Sequence, residues 1–492
     1  MKKIINLLLL FAFALQGHAQ QQTANWAFGT SAGLTWNTTR SLSATGLAGT
    51  PNATLDGLPT TISNIKINTG EGCFTMSDAS GQLLFYSDGM SIWDKTNTVM
   101  PNANKAAMSG LTGNSSSAQS GIIIPYPGNP NQYVAVTIDQ FWNNNLAYSV
   151  IDMTLRGGLG DVVAGKKNIP LTGGSGAIGE TVTAILDANG TDYWIIALGR
   201  SNYMNAWKLT SNGVVAPSAP VKSMFPAGVG INSANVPNGY LKITPDGKHF
   251  AVAGYDTKTV IYGDFNNSTG TFSNARQITG FDTSTYGIEF SKSMNYLYVG
   301  GTAKLYVYDF NALLATTNPS SVTPKKIAFG NDINGLQMGP DNRIYATAYG
   351  QSYLYVVDNP EEYDNLKTYQ LPANFLGSGI SRIGLPSFSG SWFTPPPAFC
   401  YSPAVTAGTR EPFKTIVSTL DRTASPRNWS DPRTGSLILE SQNKGLVLTR
   451  IASPETAIAN PVEGMIVFDT TNKVLKFYNG TVWKILEQGC PN

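Results

Sequence analysis

Two glutamates lie directly beside glycines in strand-like sequence, at Glu71-Gly72 and Gly179-Glu180. Paired carboxylates facing each other could hydrolyse a glycosidic bond, one as acid and the other as base or nucleophile. Asp88 could join them. The same groups could instead pair with Lys or backbone donors and hold neighbouring elements together. Two aromatic stretches suit binding better: Asp139-Gln140-Phe141-Trp142-Asn143-Asn144-Asn145 and Asn202-Tyr203-Met204-Asn205-Ala206-Trp207. Rings that stack beside amides that hydrogen-bond suit sugars or peptides, although such rings also serve as packing. Other chemistry finds little support. Past the first 19 residues His249 is the one histidine, and it follows the turn Asp246-Gly247-Lys248. A zinc site needs clustered His and Cys, so none is expected. Asp78-x-Ser80-Gly81, Asp187-x-Asn189-Gly190 and Asp246-Gly247 resemble fragments of calcium loops. They read as tight turns, in which Asp and Asn bond their own backbone. No dinucleotide or phosphate fingerprint occurs, and no cofactor is expected.

These residues need a scaffold, and a repeat supplies it. A unit recurs that opens with Gly, continues as a short apolar strand and ends in an Asp/Asn/Gly/Pro turn. The opening glycines are Gly72, Gly121, Gly179, Gly239, Gly287, Gly335 and Gly384, spaced by 49, 58, 60, 48, 48 and 49 residues. Second strands follow in Leu83–Tyr86, Tyr133–Val136, Tyr193–Ile196, Tyr296–Val299 and Ile344–Ala346. Seven copies at this period predict an all-β, seven-bladed β-propeller, each glycine opening the innermost strand of a blade. A side chain there would crowd the neighbouring backbone near the axis. An open sandwich of hairpins is the alternative. The last unit, at Gly384–Phe388, runs out of sequence after too few strands. N-terminal strands around Trp26–Phe28 and Leu34–Trp36 are therefore expected to complete it and close the ring.

Composition agrees. Charged residues are 13% of the 492, against a usual ~25%; a helical bundle would need more. Residues 1–19 read as a signal peptide: Lys2 and Lys3, an apolar run Ile4–Leu15, and Gly17-His18-Ala19. The run is too short to span a bilayer, so no transmembrane span is expected after cleavage. Removing both lysines leaves basic and acidic residues in balance, which argues against nucleic acid as a partner. Thr394-Pro395-Pro396-Pro397 opens a Pro-rich linker, 394–410. The propeller is thus placed at 20–393, and a small β-rich module at 411–492. Cys400 and Cys490 flank that module and could bridge; Cys73 reads as a buried free thiol.

Several phrases resemble a known family. They are Trp26-x-Phe28-Gly29, Glu71-Gly72-Cys73 with Asp88-Gly89, Val99-Met100-Pro101-Asn102, Gly113–Ser120, Tyr148–Met153 with Gly157–Asp161, and Gly384–Phe388. Over residues 24–393 the chain resembles the N-terminal propeller of large Bacteroidetes cell-surface proteins, many of which end in a gliding-motility-associated sorting domain. The resemblance implies export through the type IX pathway and display at the cell surface. It implies no established enzymatic activity. The core Asn460-Pro461-x-Glu463-Gly464-Met465-Ile466-Val467-Phe468-Asp469, with Phe477-Tyr478-Asn479-Gly480-x-x-Trp483, is similar to a short module that ends many secreted Bacteroidetes proteins and some tail-fibre-like chains.

The expected function is non-catalytic recognition of a glycan or cell-surface protein at the outer-membrane exterior, with peripheral membrane association. The contact residues would lie on the face holding the inner-strand starts: Glu71, Ser120, Glu180, Tyr240, Tyr286 and Asn334, with Phe141 and Trp142 in a neighbouring loop. A carbohydrate-active enzyme using Glu71 and Glu180 is one alternative. A structural part of a type IX secretion or gliding apparatus is another.

Overall fold

The computed structural model describes residues 21–140, 145–173, 178–199, 202–231, 239–393 and 448–485, with the strands Lys414–Ser418 and Ser436–Glu440. The leader, the linker, Phe141, Trp142, Cys400 and Cys490 lie outside the described residues. The chain forms two compact units, Met1–Pro395 and Pro396–Asn492.

The first unit is a succession of small antiparallel sheets, each built from strands consecutive in sequence. The first is Phe74–Ser77, Leu83–Ser87 and Ile92–Asp94. The second starts from Gly121–Pro125, Gln132–Ile138 and Leu146–Asp152, and the third from Ile178–Leu186, Tyr193–Gly199 and Tyr203–Thr210. The fourth runs Leu241–Ile243, His249–Gly254, Thr259–Asn266 and Thr271–Ile278. The fifth runs Thr285–Phe290, Tyr296–Gly301, Lys304–Asp309 and Lys325–Ala328. The sixth runs Leu336–Met338, Ile344–Ala346, Tyr355–Val357 and Thr368–Gln370. Period-2 strands present two faces, and adjacent sheets bury both. Ile122, Val134 and Val150 of the second sheet join Val182, Ile195 and Trp207 of the third in one apolar cluster. This is why strands such as Tyr193–Gly199 are buried along their whole length.

The sheet starts follow one another in a ring, hydrogen-bonded at most junctions and in contact at the others, and the architecture is propeller-like. Glu71 N–H donates to Ser115 O, Gln119 N–H to Glu180 O, and Tyr240 N–H to Tyr286 O. Gly335 N–H then donates to Ile383 O, and Ile383 N–H to Gly70 O at the beginning of the first sheet. Two glycines show the close approach this demands. A Cβ on Gly287 would penetrate the carbonyl oxygen of Asn334, and one on Gly384 would penetrate that of Glu71. Each glycine therefore abuts the residue just before the next unit begins.

The closure differs from the expectation in one respect. Gly384–Phe388 is buried but forms no strand ladder. Pro386 has no N–H to give, and Ser387 N–H bonds Cys73 O, just before the first sheet, instead. The N-terminal strands Asn25–Phe28, Ala32–Gly46 and Ala53–Thr61 pair with one another. Ala32–Gly46 also adds to the outer edge of the sixth sheet through Thr45 and Gly46. Trp26 nevertheless packs 6.2 Å from Phe388, ring to ring. Cys73 is a buried free thiol.

In the second unit, residues 448–485 form a four-stranded sheet of Arg450–Ile451, Ile466–Asp469, Val474–Tyr478 and Trp483–Ile485. On one face Lys476 is buried between Asp469, at 2.6 Å, and Glu455, at 2.5 Å. The other face carries the cross-strand pairs Ile466 with Phe477 and Phe468 with Leu475. Ile466 and Leu475 are 47% and 38% exposed there.

Candidate functional site

In an antiparallel sheet the start of the first strand and the end of the second lie at the same end. Ring closure brings several such ends together around a cavity of about 260 Å³, lined by Glu71, Tyr255, Tyr286, Asp332, Asn334, Tyr349 and Ile383. Glu71 precedes the first inner strand and Asn334 precedes the sixth. Tyr286 lies in the fifth inner strand. Tyr255 and Tyr349 follow the second strands of the fourth and sixth sheets.

Glu71 is the chemical centre of this cavity. Its carboxyl accepts from the Tyr286 hydroxyl at 3.0 Å and from Ser116 Oγ at 3.5 Å. Burial pushes its pKa up to about 7, against the weaker opposing effect of those two hydroxyl donors. Desolvation disfavours the charged form unless a cation compensates, and the hydrogen-bond partners here are neutral. Burial and the nearby Glu71 charge hold the Tyr286 phenol far above its ordinary pKa, so it remains a donor. Tyr255 stands perpendicular to Tyr286, centroids 6.1 Å apart.

The structure thus brings three of the expected contact residues, Glu71, Tyr286 and Asn334, onto one cavity. The other three described ones are buried and do not line it. Tyr240 is buried, lies 5.5 Å from Tyr286 with the rings tilted by 48°, and uses its hydroxyl to clamp the Leu385 backbone, donating to O at 3.1 Å and accepting from N at 2.8 Å. Ser120 is sealed against Gly72 and Gly89. Glu180 is buried in the bulged strand Ile178–Leu186 and does not line the cavity. Glu71 and Glu180 therefore do not flank one open site among the described residues. Asp88 is committed to the Met90 and Ser91 backbone N–H groups. Tyr255, Asp332 and Tyr349 were not singled out by sequence. The available signal was an aromatic shortly after a second strand, Tyr255 next to Gly254 and Tyr349 three residues past Ala346.

Elsewhere, a wider recess of about 590 Å³ is lined by Lys105, Met108, Asn114, Asp139 and Asn145, among others. It adjoins the chain leading to Phe141 and Trp142. The Asp78 carboxylate accepts from the backbone N–H groups of Ser80 and Gln82, as a tight turn does. His249 pairs with Asp264 at 2.9 Å.

Residues 423–491 match the family described as a phage tail like trimerisation region. No curated protein matches the chain. Among solved structures the chain is similar to a Lactobacillus plantarum protein, with 12% identity, 71% of this chain and 99% of that one covered, and a TM-score of 0.42. It is also similar to a 6-phosphogluconolactonase-like protein from Bacteroides uniformis, with 15% identity, 62% and 84% covered, and a TM-score of 0.36. A streptogramin B lyase gives 13%, 63% and 87% covered, and 0.36. At these scores the likenesses carry no argument about the site.

Proposed function

We propose that this chain is an exported cell-surface recognition protein. Its first unit is a seven-bladed propeller whose seventh blade combines Gly384–Phe388 with the N-terminal strands, and it takes a glycan or protein partner in the Glu71 cavity. One observation carries this reading: a half-buried carboxyl, two half-exposed tyrosines and an amide converge where the sheet starts meet. Pockets that fix an orientation combine apolar walls with a few placed polar groups in this way. The resemblance to Bacteroidetes surface propellers supports the compartment. Glycan-array binding without product release, lost in Tyr255→Ala, is the expected result. Release of a cleaved product, lost in Glu71→Gln, would instead favour the carbohydrate-active enzyme. A part in a type IX or gliding apparatus would appear as co-purification with outer-membrane machinery.

A second reading concerns the second unit. Its match to a trimerisation region, with the exposed Ile466, Phe468, Leu475 and Phe477 face, supports self-association into trimers. An exposed apolar sheet face of this kind marks an interaction surface. Light scattering should give three times the chain mass, and Ile466→Lys with Leu475→Glu should return it to one. A monomeric wild type would refute this reading.

A further inference from the structure

The cavity holds more negative than positive character, and its aromatic walls suit one kind of guest. Glu71 is bonded only by hydroxyls among the described residues. Asp332 brings a second carboxyl to the same lining. Asn334 is 8% exposed, lines the cavity, and makes no side-chain hydrogen bond among the described residues, its backbone N–H bonding Thr347 Oγ1. Its amide thus opens on the cavity with capacity left for a ligand. Tyr255 and Tyr286 meet at 88°, so that together with Tyr349 the cavity is lined by three phenol rings. The faces of such rings attract cations, organic ammonium groups above all. The Arg382 guanidinium lies 5.9 Å from the Tyr349 centroid and its Nε–H is held by Thr30 Oγ1. No lysine lines the cavity. At about 260 Å³ the space fits a terminal group rather than a length of polymer.

We propose that this cavity captures an organic ammonium group, carried by a small molecule, an amino sugar or a lysine side chain, between the Glu71 carboxylate and the tyrosine rings. This rests on the reading of the cavity as a binding site. The ammonium supplies the charge partner that Glu71 lacks, the rings replace part of its hydration, and the Asn334 carbonyl accepts from it where it carries an N–H. Binding drives Glu71 to the carboxylate and releases its proton. The other titratable groups facing Glu71 are Tyr286, Tyr240, Asp332 and, through Tyr286, Glu180. Both phenols stay protonated at neutral pH, because burial raises them.

The test is calorimetric titration of the full chain with tetramethylammonium chloride, with tert-butanol as the neutral isostere and sodium chloride holding ionic strength constant. Tetramethylammonium should bind and tert-butanol should not. With Glu71 titrating near 7, affinity should rise about thirtyfold from pH 5.5 to 8.5. Glu71→Gln should remove that pH dependence and cost at least about tenfold at pH 8.5. Tyr255→Leu should weaken binding while keeping the pH dependence, which separates the ring from the carboxylate. Competition by glucosamine, by Nα-acetyllysine amide or by neither then distinguishes the three carriers. Equal binding of cation and isostere, or an unaffected Glu71→Gln, overturns the inference. If neutral oligosaccharides bind in a Glu71-dependent way while ammonium compounds do not, only the inference fails. If neither class binds the wild type, the cavity reading fails with it.

Discussion

Replacing Glu71 by Gln should make the protein more stable, and only above acidic pH. The carboxyl titrates near 4.5 when unfolded and near 7 when folded. The folded chain thus binds the proton more tightly, and stability falls as pH rises through that window. Below about pH 4.5 both states are protonated and nothing is lost. Above about pH 7 both are ionised and the whole burial cost is felt. At about 1.4 kcal/mol per pH unit, that cost is about 3 kcal/mol. A glutamine keeps the shape and still accepts from the Tyr286 hydroxyl, but carries no charge to desolvate. Thermal unfolding of wild type and Glu71→Gln should coincide at pH 4. They should then separate to a plateau by pH 8.5, the variant melting roughly 3–6 °C higher. Parallel melting curves across that range would refute the account of Glu71 as a carboxylate held without a cation.

The Lys242 ammonium is buried, bonded to Glu289 Oε2 at 3.0 Å and Gln337 Oε1 at 2.6 Å, while Glu289 also accepts the Phe290 and Met338 N–H groups. Lys242→Ala should cost about 3–5 kcal/mol by leaving that carboxylate unpaired. Lys242→Met combined with Glu289→Leu should recover only part of the loss, because the Phe290 and Met338 N–H groups then lose their acceptor, and denaturant melts with a double-mutant cycle would check both. Gly384→Ala pushes a methyl into the Glu71 carbonyl and should destabilise by roughly 1–3 kcal/mol. It should also disturb binding in the cavity; an unchanged melting temperature would count against the ring. Cys73, whose thiol burial pushes well up, should resist alkylation in the native protein and react on denaturation, as peptide mapping would report.

Much of this protein was legible in its residues because the information is local. Alternating apolar residues define a half-buried strand whatever its neighbours, and glycines at a near-constant spacing announce a unit too small to bury its own faces. That Glu71, Tyr286 and Asn334 belong at one end followed from their place at inner-strand starts. Gly384–Phe388 followed the repeat in pattern but not in pairing, since Pro386 and the pull of Cys73 remove it from any ladder.

Which side chains share a space was decided by tertiary structure alone. A period of two tells which face a residue takes, but the face's occupant comes from a sheet tens or hundreds of residues away. Tyr240 and Tyr286 both lie next to an opening glycine, one after Gly239 and the other before Gly287. One spends its hydroxyl on the Leu385 backbone, while the other reaches Glu71. Tyr255 and Tyr349 looked like ordinary strand-end aromatics until the ring brought them to Glu71's cavity. The titration of Glu71 itself depends on how completely those distant segments exclude water, a quantity no single stretch of chain contains.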